Sequence, residues 1–290
     1  MNFQKKLAAD EFVLLAEMHT PKGVNISSLV NNARRIKGRV DGVVIPDMDN
    51  GIMRMSALAG SVLMQQEGLE TIIHLYCRDR NRMALQGDAL AANVLGTQNI
   101  IVAHSADMSQ SDHSDAKPVY DLDEVQLIET LKSLQKGKDM SGFELDGNPD
   151  FSVGCTVAPF TGADAAAKEL ETAKKKIAAG AGFVITPSVF DIDSSAEFLT
   201  SASQLGVPVI ATVFLIKSLA IAQYIANSEP EANISDDLIR RIRKSSDREQ
   251  EGVRIAGETI AALKEKVQGV VVQTLGWEHK IPEILDAAGV

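Results

Sequence analysis

Short apolar runs rich in Val and Ile recur along the chain. Each is followed by a longer stretch in which apolar residues return every three or four positions. The runs are FVLLAEM (12–18), GVVIP (42–46), TIIHLY (71–76), NIIVAH (99–104), FSVGCTV (151–157), GFVITP (182–187), VPVIATV (207–213) and GVVVQTL (269–275). They are nearly continuous rather than alternating, as expected for strands buried on both faces of a parallel sheet. Between them, SLVNNARRIKGR, MSALAGSVLMQQEG, RMALQGDALAANVLG, DEVQLIETLKSLQKG, DAAAKELETAKKKIAAG, SSAEFLTSASQLG, the stretch 237–268 and IPEILDAAGV read as helices. Several of them end in Gly, the usual C-terminal stop.

Eight strands alternating with eight helices predict an α/β fold, a closed (β/α)8 TIM barrel formed as a single domain over 1–290. Two periods are longer than the rest. A loop, 105–122, follows strand four, and an extra helical pair, 218–268, is inserted after strand seven. An open doubly wound sheet is the alternative, and it lacks the GxGxxG that would follow its first strand.

Composition narrows the function. The 290 residues are 45% hydrophobic and 23% charged, a soluble globular mixture, and the formal net charge of −10 argues against nucleic acid. An anionic small ligand stays open, because a local basic pocket can sit in an acidic surface. Cys77 and Cys155 have no metal-type spacing and form no disulfide framework, so a reduced, cytoplasmic chain is expected. The N-terminal stretch reads as neither a signal peptide nor a membrane span, because Glu17 interrupts its short apolar run.

In a barrel the C-terminal strand ends build the active site. Here they offer Glu17, His19 and Lys22 after strand one, Asp47 after strand two, and His74 and Tyr76 on strand three. Beyond these come His104 and Asp107, Thr156, Thr186, Phe214, Gln273 and Trp277. Glu17 is the most informative, because a carboxylate in an apolar strand is costly unless it is paired or protonated. It is either a general acid of raised pKa or a carboxylate satisfied by Lys22 or a rim arginine. His74 alone reads as a satisfied core histidine, and no HxH or HExxH spacing supports a metal. The cluster Arg78, Asp79, Arg80, Arg82 suits bidentate binding of phosphate or carboxylate, and a solvated helix start is the plainer reading. Lys174, Lys175 and Lys176 near a helix C-terminus read as structural.

Several segments together, in order and spacing, resemble the methylenetetrahydrofolate reductase family, in particular its short bacterial, acetogen-like forms. They are AEMHTPKG (16–23), MRMSALA (53–59), HLYCRDRNR (74–82), Asp107 after NIIVAHSA, DAKPVYDLDEVQLI (115–128), FSVGCTVAPF (151–160), KKKIAAGAGFVITPSVFD (174–191) and LGWEHKIPEIL (275–285). The resemblance implies a barrel holding non-covalent FAD that reduces methylenetetrahydrofolate to the methyl form in one-carbon metabolism and methionine biosynthesis. It implies Glu17 as general acid and Asp107 near flavin and pterin. His74, Tyr76, Arg78, Glu169 and Lys176 would be flavin contacts, and Phe214 would lie on the substrate side. That shifts Lys176 from a structural to a functional expectation.

NADH or NADPH is a possible electron donor, and the chain is expected to pair with itself or with an electron-donating subunit. Five positions depart from the family pattern: Pro46, Ala106, Pro187, Ile221 and Ile225. Two alternatives stay open beside a flavin-dependent reductase. One is a flavin-independent barrel that moves hydride from a nicotinamide, and the other is a flavin- or pterin-binding subunit of a larger complex.

Overall fold

The computed structural model describes residues 3–228, 232 and 234–290. Its strands are β1 (Val13–Glu17), β2 (Gly42–Ile45), β3 (Thr71–Leu75), β4 (Asn99–Val102), β5 (Ser152–Thr156), β6 (Phe183–Ser188), β7 (Val209–Phe214) and β8 (Gly269–Gln273). They pair in chain order, all parallel, and β8 closes on β1. The (β/α)8 barrel predicted from the apolar runs is the observed fold.

A short helix, α1 (Phe3–Ala8), precedes the barrel, and the outer ring begins with α2 (Ser27–Ile36), α3 (Ala57–Gln66) and α4 (Arg82–Val94). It continues with α5 (Glu124–Gln135), α6 (Ala163–Ala179) and α7 (Ile192–Ala202). After β7 the described residues form three helices rather than the expected pair: α8 (Leu219–Ser228), α9 (Asp236–Lys244) and α10 (Arg248–Leu263). Of these, α10 packs on β7 and on the last helix, α11 (Ile281–Ala288), so it is the ring helix of the seventh period. The insertion proper is α8 with α9. Their Ala222, Ile225, Leu238 and Ile242 join Phe190, Ile216 and Ile255 in a separate apolar cluster beside the rim.

The strand period of two decides what fills the barrel. Val13, Leu15, Val44, Ile72, Ile101, Phe183, Ile185, Ile210 and Val271 point inward and form one buried cluster. Phe3 of α1 closes the N-terminal end by packing edge-on to Phe183, with ring centroids 5.3 Å apart. Fully burying each such side chain is worth about 1.5–3 kcal/mol, so these lower layers fix the register. Above them the same period brings inward Glu17 after Leu15, His74 and then Tyr76 after Ile72, Thr212 and then Phe214 after Ile210, and Gln273 after Val271. The polar layer at the mouth therefore follows from the apolar layers beneath it.

Two glycines show how closely the ring is fitted. A Cβ on Gly252 of α10 would lie 2.1 Å from the carbonyl oxygen of Ile216, whereas one on Gly87 of α4 would meet nothing within 4 Å. Gly252→Ala is therefore expected to lower stability by about 1–3 kcal/mol through overpacking. Gly87→Ala is expected to raise it, by up to about 1 kcal/mol, through backbone entropy. Chemical denaturation of both variants checks the pair, and equal stabilities would contradict the packing described.

Candidate active site

The C-terminal strand ends surround a cavity of about 790 Å³. One wall carries Glu17, Val44, Pro46, His74, Tyr76 and Ala103. The other carries Thr212, Phe214, Lys217, Ile221, Ile225 and Gln273. Glu17, His74, Tyr76 and Phe214, expected from the sequence, thus share one space. All five departures from the family pattern (Pro46, Ala106, Pro187, Ile221 and Ile225) line it too.

Glu17 is 6% exposed, and Gln273 holds it from β8, the neighbouring strand across the closure. The Gln273 Nε2 donates to Glu17 Oε1 at 2.9 Å and to Oε2 at 3.1 Å. Burial pushes the Glu17 carboxyl up to about 7, against the opposing charge of His19; Asp49 and Glu278 add to the rise and the Gln273 hydrogen bond opposes it. The partners expected for a merely satisfied Glu17 lie elsewhere, since Lys22 pairs with Asp112.

His19 stands two residues beyond Glu17, with a ring only 5% exposed. Its Nε2 donates to Asp49 Oδ2 at 2.8 Å and lies 3.6 Å from Glu17 Oε1. Its Nδ1 faces Glu278 Oε1 at 3.8 Å. Burial disfavours the imidazolium, but the Asp49 hydrogen bond and the Glu278 and Glu17 carboxylates outweigh it and hold the ring up at about 10. Asp49 is correspondingly held below the usual carboxylate range: burial would raise it, and the His19 contact prevails. Glu17, His19 and Asp49 offer ligand atoms within 4.8 Å of one another, a spacing a cation would accept. Here an imidazole N–H already fills the gap between His19 and Asp49.

His74 behaves oppositely. Burial pushes it down to about 4, so it is a neutral ring, and its Nδ1 shares a 2.9 Å hydrogen bond with the Tyr76 hydroxyl. Burial also raises the Tyr76 phenol well above its ordinary value.

The arginine cluster points away from the cavity. The Arg78 guanidinium, fully buried, donates to Asp79, to the Ala106 carbonyl oxygen at 3.0 Å and to that of Met48 at 2.7 Å. It therefore ties the loops after β2, β3 and β4 together where the sequence suggested flavin phosphates. Arg80 pairs with Asp47 and Asp88, and Arg82 with Asp121. Asp121 also accepts from the Arg82 backbone N–H, which offsets the cation at the start of α4.

The remaining expected contacts also fall outside the cavity lining. Asp107 lies on an exposed loop, where its Oδ1 accepts from the Ser109 N–H at 2.6 Å and caps the turn Met108–Gln110. Glu169 lies half-buried on α6. Lys176 is buried, pairs with Glu124 and donates to the Thr156 carbonyl oxygen at 2.8 Å. Glu124 in turn bonds His104 Nδ1 at 3.2 Å, so this chain of charges reaches the cavity wall through His104.

Sequence reasoning missed Asp49 and Glu278 as members of the site. Asp49 had no signal beyond an acidic turn, DMDNG, whereas Glu278 stood inside LGWEHKIPEIL without being singled out. Lys217 was missed as well; it sits over the Trp277 ring at 5.5 Å, and its Nζ donates to the Leu275 carbonyl oxygen.

Comparison with known proteins agrees with the barrel fold. One similar solved structure is an uncharacterised protein from Clostridium thermocellum that binds two copies of 5-methyl-5,6,7,8-tetrahydrofolic acid. It is 16% identical with a TM-score of 0.68, over 99% of this chain and 98% of that one. An F420-dependent secondary alcohol dehydrogenase in complex with an F420–acetone adduct matches at 13% identity and a TM-score of 0.57, over 96% of this chain and 99% of that one. At such identities the likeness concerns the fold alone. The family model described as methylenetetrahydrofolate reductase matches residues 2–289, so the chain belongs to the methylenetetrahydrofolate reductase family.

Proposed function

We propose that this chain reduces 5,10-methylenetetrahydrofolate to 5-methyltetrahydrofolate, with Glu17 as general acid and reduced FAD as the hydride source. The observation that carries the reading is a carboxyl group facing the barrel cavity and poised near neutrality. The reaction needs a proton at one nitrogen of the folate's five-membered ring, so that a C–N bond opens to an iminium. The iminium carbon then takes hydride and becomes the methyl group. Glu17 is the cavity-lining acid suited to the proton, and Gln273 fixes its orientation through both oxygens. The folate-binding Clostridium thermocellum protein, alike in fold, supports the substrate class.

The wall of Pro46, His74, Tyr76, Ala103 and Thr156 suits a flavin ring, being largely apolar with a neutral imidazole. When bound and reduced by an electron donor such as NADH or NADPH, FAD would supply the hydride and return to its oxidised form. His74 and Tyr76 would hold the ring side. Arg78, Arg80 and Arg82 are spent on protein partners, so the phosphates would have to be held by other groups. On the substrate side, Phe214 packs against Phe190 with centroids 5.8 Å apart, an aromatic face for the pterin or the benzoyl ring. Ile221, Ile225 and Pro187 offer the pterin no polar side-chain reader, and its donor edge would look to other polar lining residues such as Asn50 and Ser188.

The same spent arginines favour one second reading, direct hydride transfer from a nicotinamide without flavin. Protein purified with added FAD is expected to be yellow, to bleach under a reductant and to recolour with methylenetetrahydrofolate. A colourless protein with undiminished NADH- or NADPH-dependent activity would select the second reading.

Because Glu17 is protonated below about 7 and ionised above it, folate reduction is expected to fall as pH rises through that value. Glu17→Gln is expected to keep any bound flavin and to lose about 10²- to 10⁴-fold in rate, the usual worth of a general acid. A variant with near-normal turnover and an unchanged pH profile would remove Glu17 from the chemistry.

A further inference from the structure

An acid that serves every turnover must give up its proton and recover it. The surroundings of Glu17 resist the first of these. It is buried, and two further carboxylates, Asp49 from the loop after β2 and Glu278 from the loop after β8, lie around the same imidazole. Desolvation and like charge both favour a permanently protonated carboxyl. Among the described residues, one cation lies against Glu17 to oppose them, the His19 ring, with Nε2 at 3.6 Å from Oε1. We propose that His19 is a positioning residue for the reaction: its imidazolium, clamped between Asp49 and Glu278, is the counter-charge that sets the acid strength of Glu17. The proposal rests on the reading of Glu17 as the acid and adds what tunes it.

The clamp explains why an imidazole can stay charged in this place. Asp49 accepts a hydrogen bond from Nε2 at 2.8 Å, and Glu278 lies 3.8 Å from Nδ1, close enough for its charge to act without a hydrogen bond. Glu278 is itself held as an anion. Burial would raise its pKa, but His19 and the Gly276 backbone N–H, which donates to Oε1 at 2.8 Å, lower it. The other charged and titratable groups act one step further out. Arg54 Nε lies 4.0 Å from the second Asp49 oxygen, the Lys217 charge acts on Glu278, and His74 on β3 is neutral. The Asp49 hydrogen bond anchors Nε2, the nitrogen that lies 3.6 Å from Glu17.

The test reads Glu17 itself. The protein is labelled with ¹³C at its glutamate carboxyls, and the Glu17 signal is identified as the one missing from Glu17→Gln. It is then titrated in the wild type and in His19→Gln, which keeps a donor for Asp49 and loses the charge. The wild-type midpoint is expected near 7. The variant midpoint is expected at least about one pH unit higher, a tenfold weaker acid. The high-pH limb of the reductase profile is expected to move the same way. An unchanged midpoint would overturn the proposal, because a merely structural His19 would not move it. Should His19→Gln fail to fold, His19→Asn gives the same reading. The titration needs no substrate, so a wild type without reductase activity would refute the assigned reaction and leave the test of His19 intact.

Discussion

The site depends on a carboxyl group that the barrel places where water cannot stabilise its charge. Glu17 is the third inward residue of β1, above Val13 and Leu15, and the closure of β8 on β1 brings Gln273 beside it. Moving the strand by one residue would turn Glu17 into the helix layer and Ala16 into the cavity. The apolar layers below, sealed by Phe3 against Phe183, prevent that slip. The chemistry at the mouth thus rests on packing near the opposite end of the barrel.

Burial by itself would make Glu17 a poor proton donor, because desolvation stabilises its neutral form. The balance comes from charges brought in by other loops. His19 opposes the desolvation, while Asp49 and Glu278 keep His19 charged. Nearby, burial pushes His74 to the neutral form, and the His19 charge adds to that against the pull of Asp49. The two histidines differ because His19 has a direct hydrogen bond to Asp49 and His74 bonds the Tyr76 hydroxyl instead. One supplies a charge and the other a neutral hydrogen-bonding ring.

Much of this was legible in the sequence, for physical reasons. Continuous Val/Ile runs with intervening 3.6-residue periodicity give the parallel barrel, and a lone acid in the first run gives Glu17. The pairing of charges was not legible. Arg78, Arg80 and Arg82 look like an anion trap as a string, yet the adjacent Asp79 pairs with Arg78, and Asp47, Asp88 and Asp121 reach the other two through the fold. The cluster around His19 is hidden for the same reason, since its members come from the loops after β1, β2 and β8. The helix α1 also escaped the pattern, because six residues are too short for a helical period to show. The departures at Pro46, Ala106, Pro187, Ile221 and Ile225 were visible in the string, but only the fold shows that all of them line the same cavity.

The account stands or falls on where a folate lies relative to Glu17. A crystal structure of the protein with bound 5-methyltetrahydrofolate measures that directly. The expected result is the pterin in the barrel mouth, with a Glu17 oxygen within hydrogen-bond reach, about 2.6–3.2 Å, of a folate nitrogen or of one bridging water. A folate bound in the mouth with Glu17 turned from it, or a folate bound outside the mouth, would contradict the account.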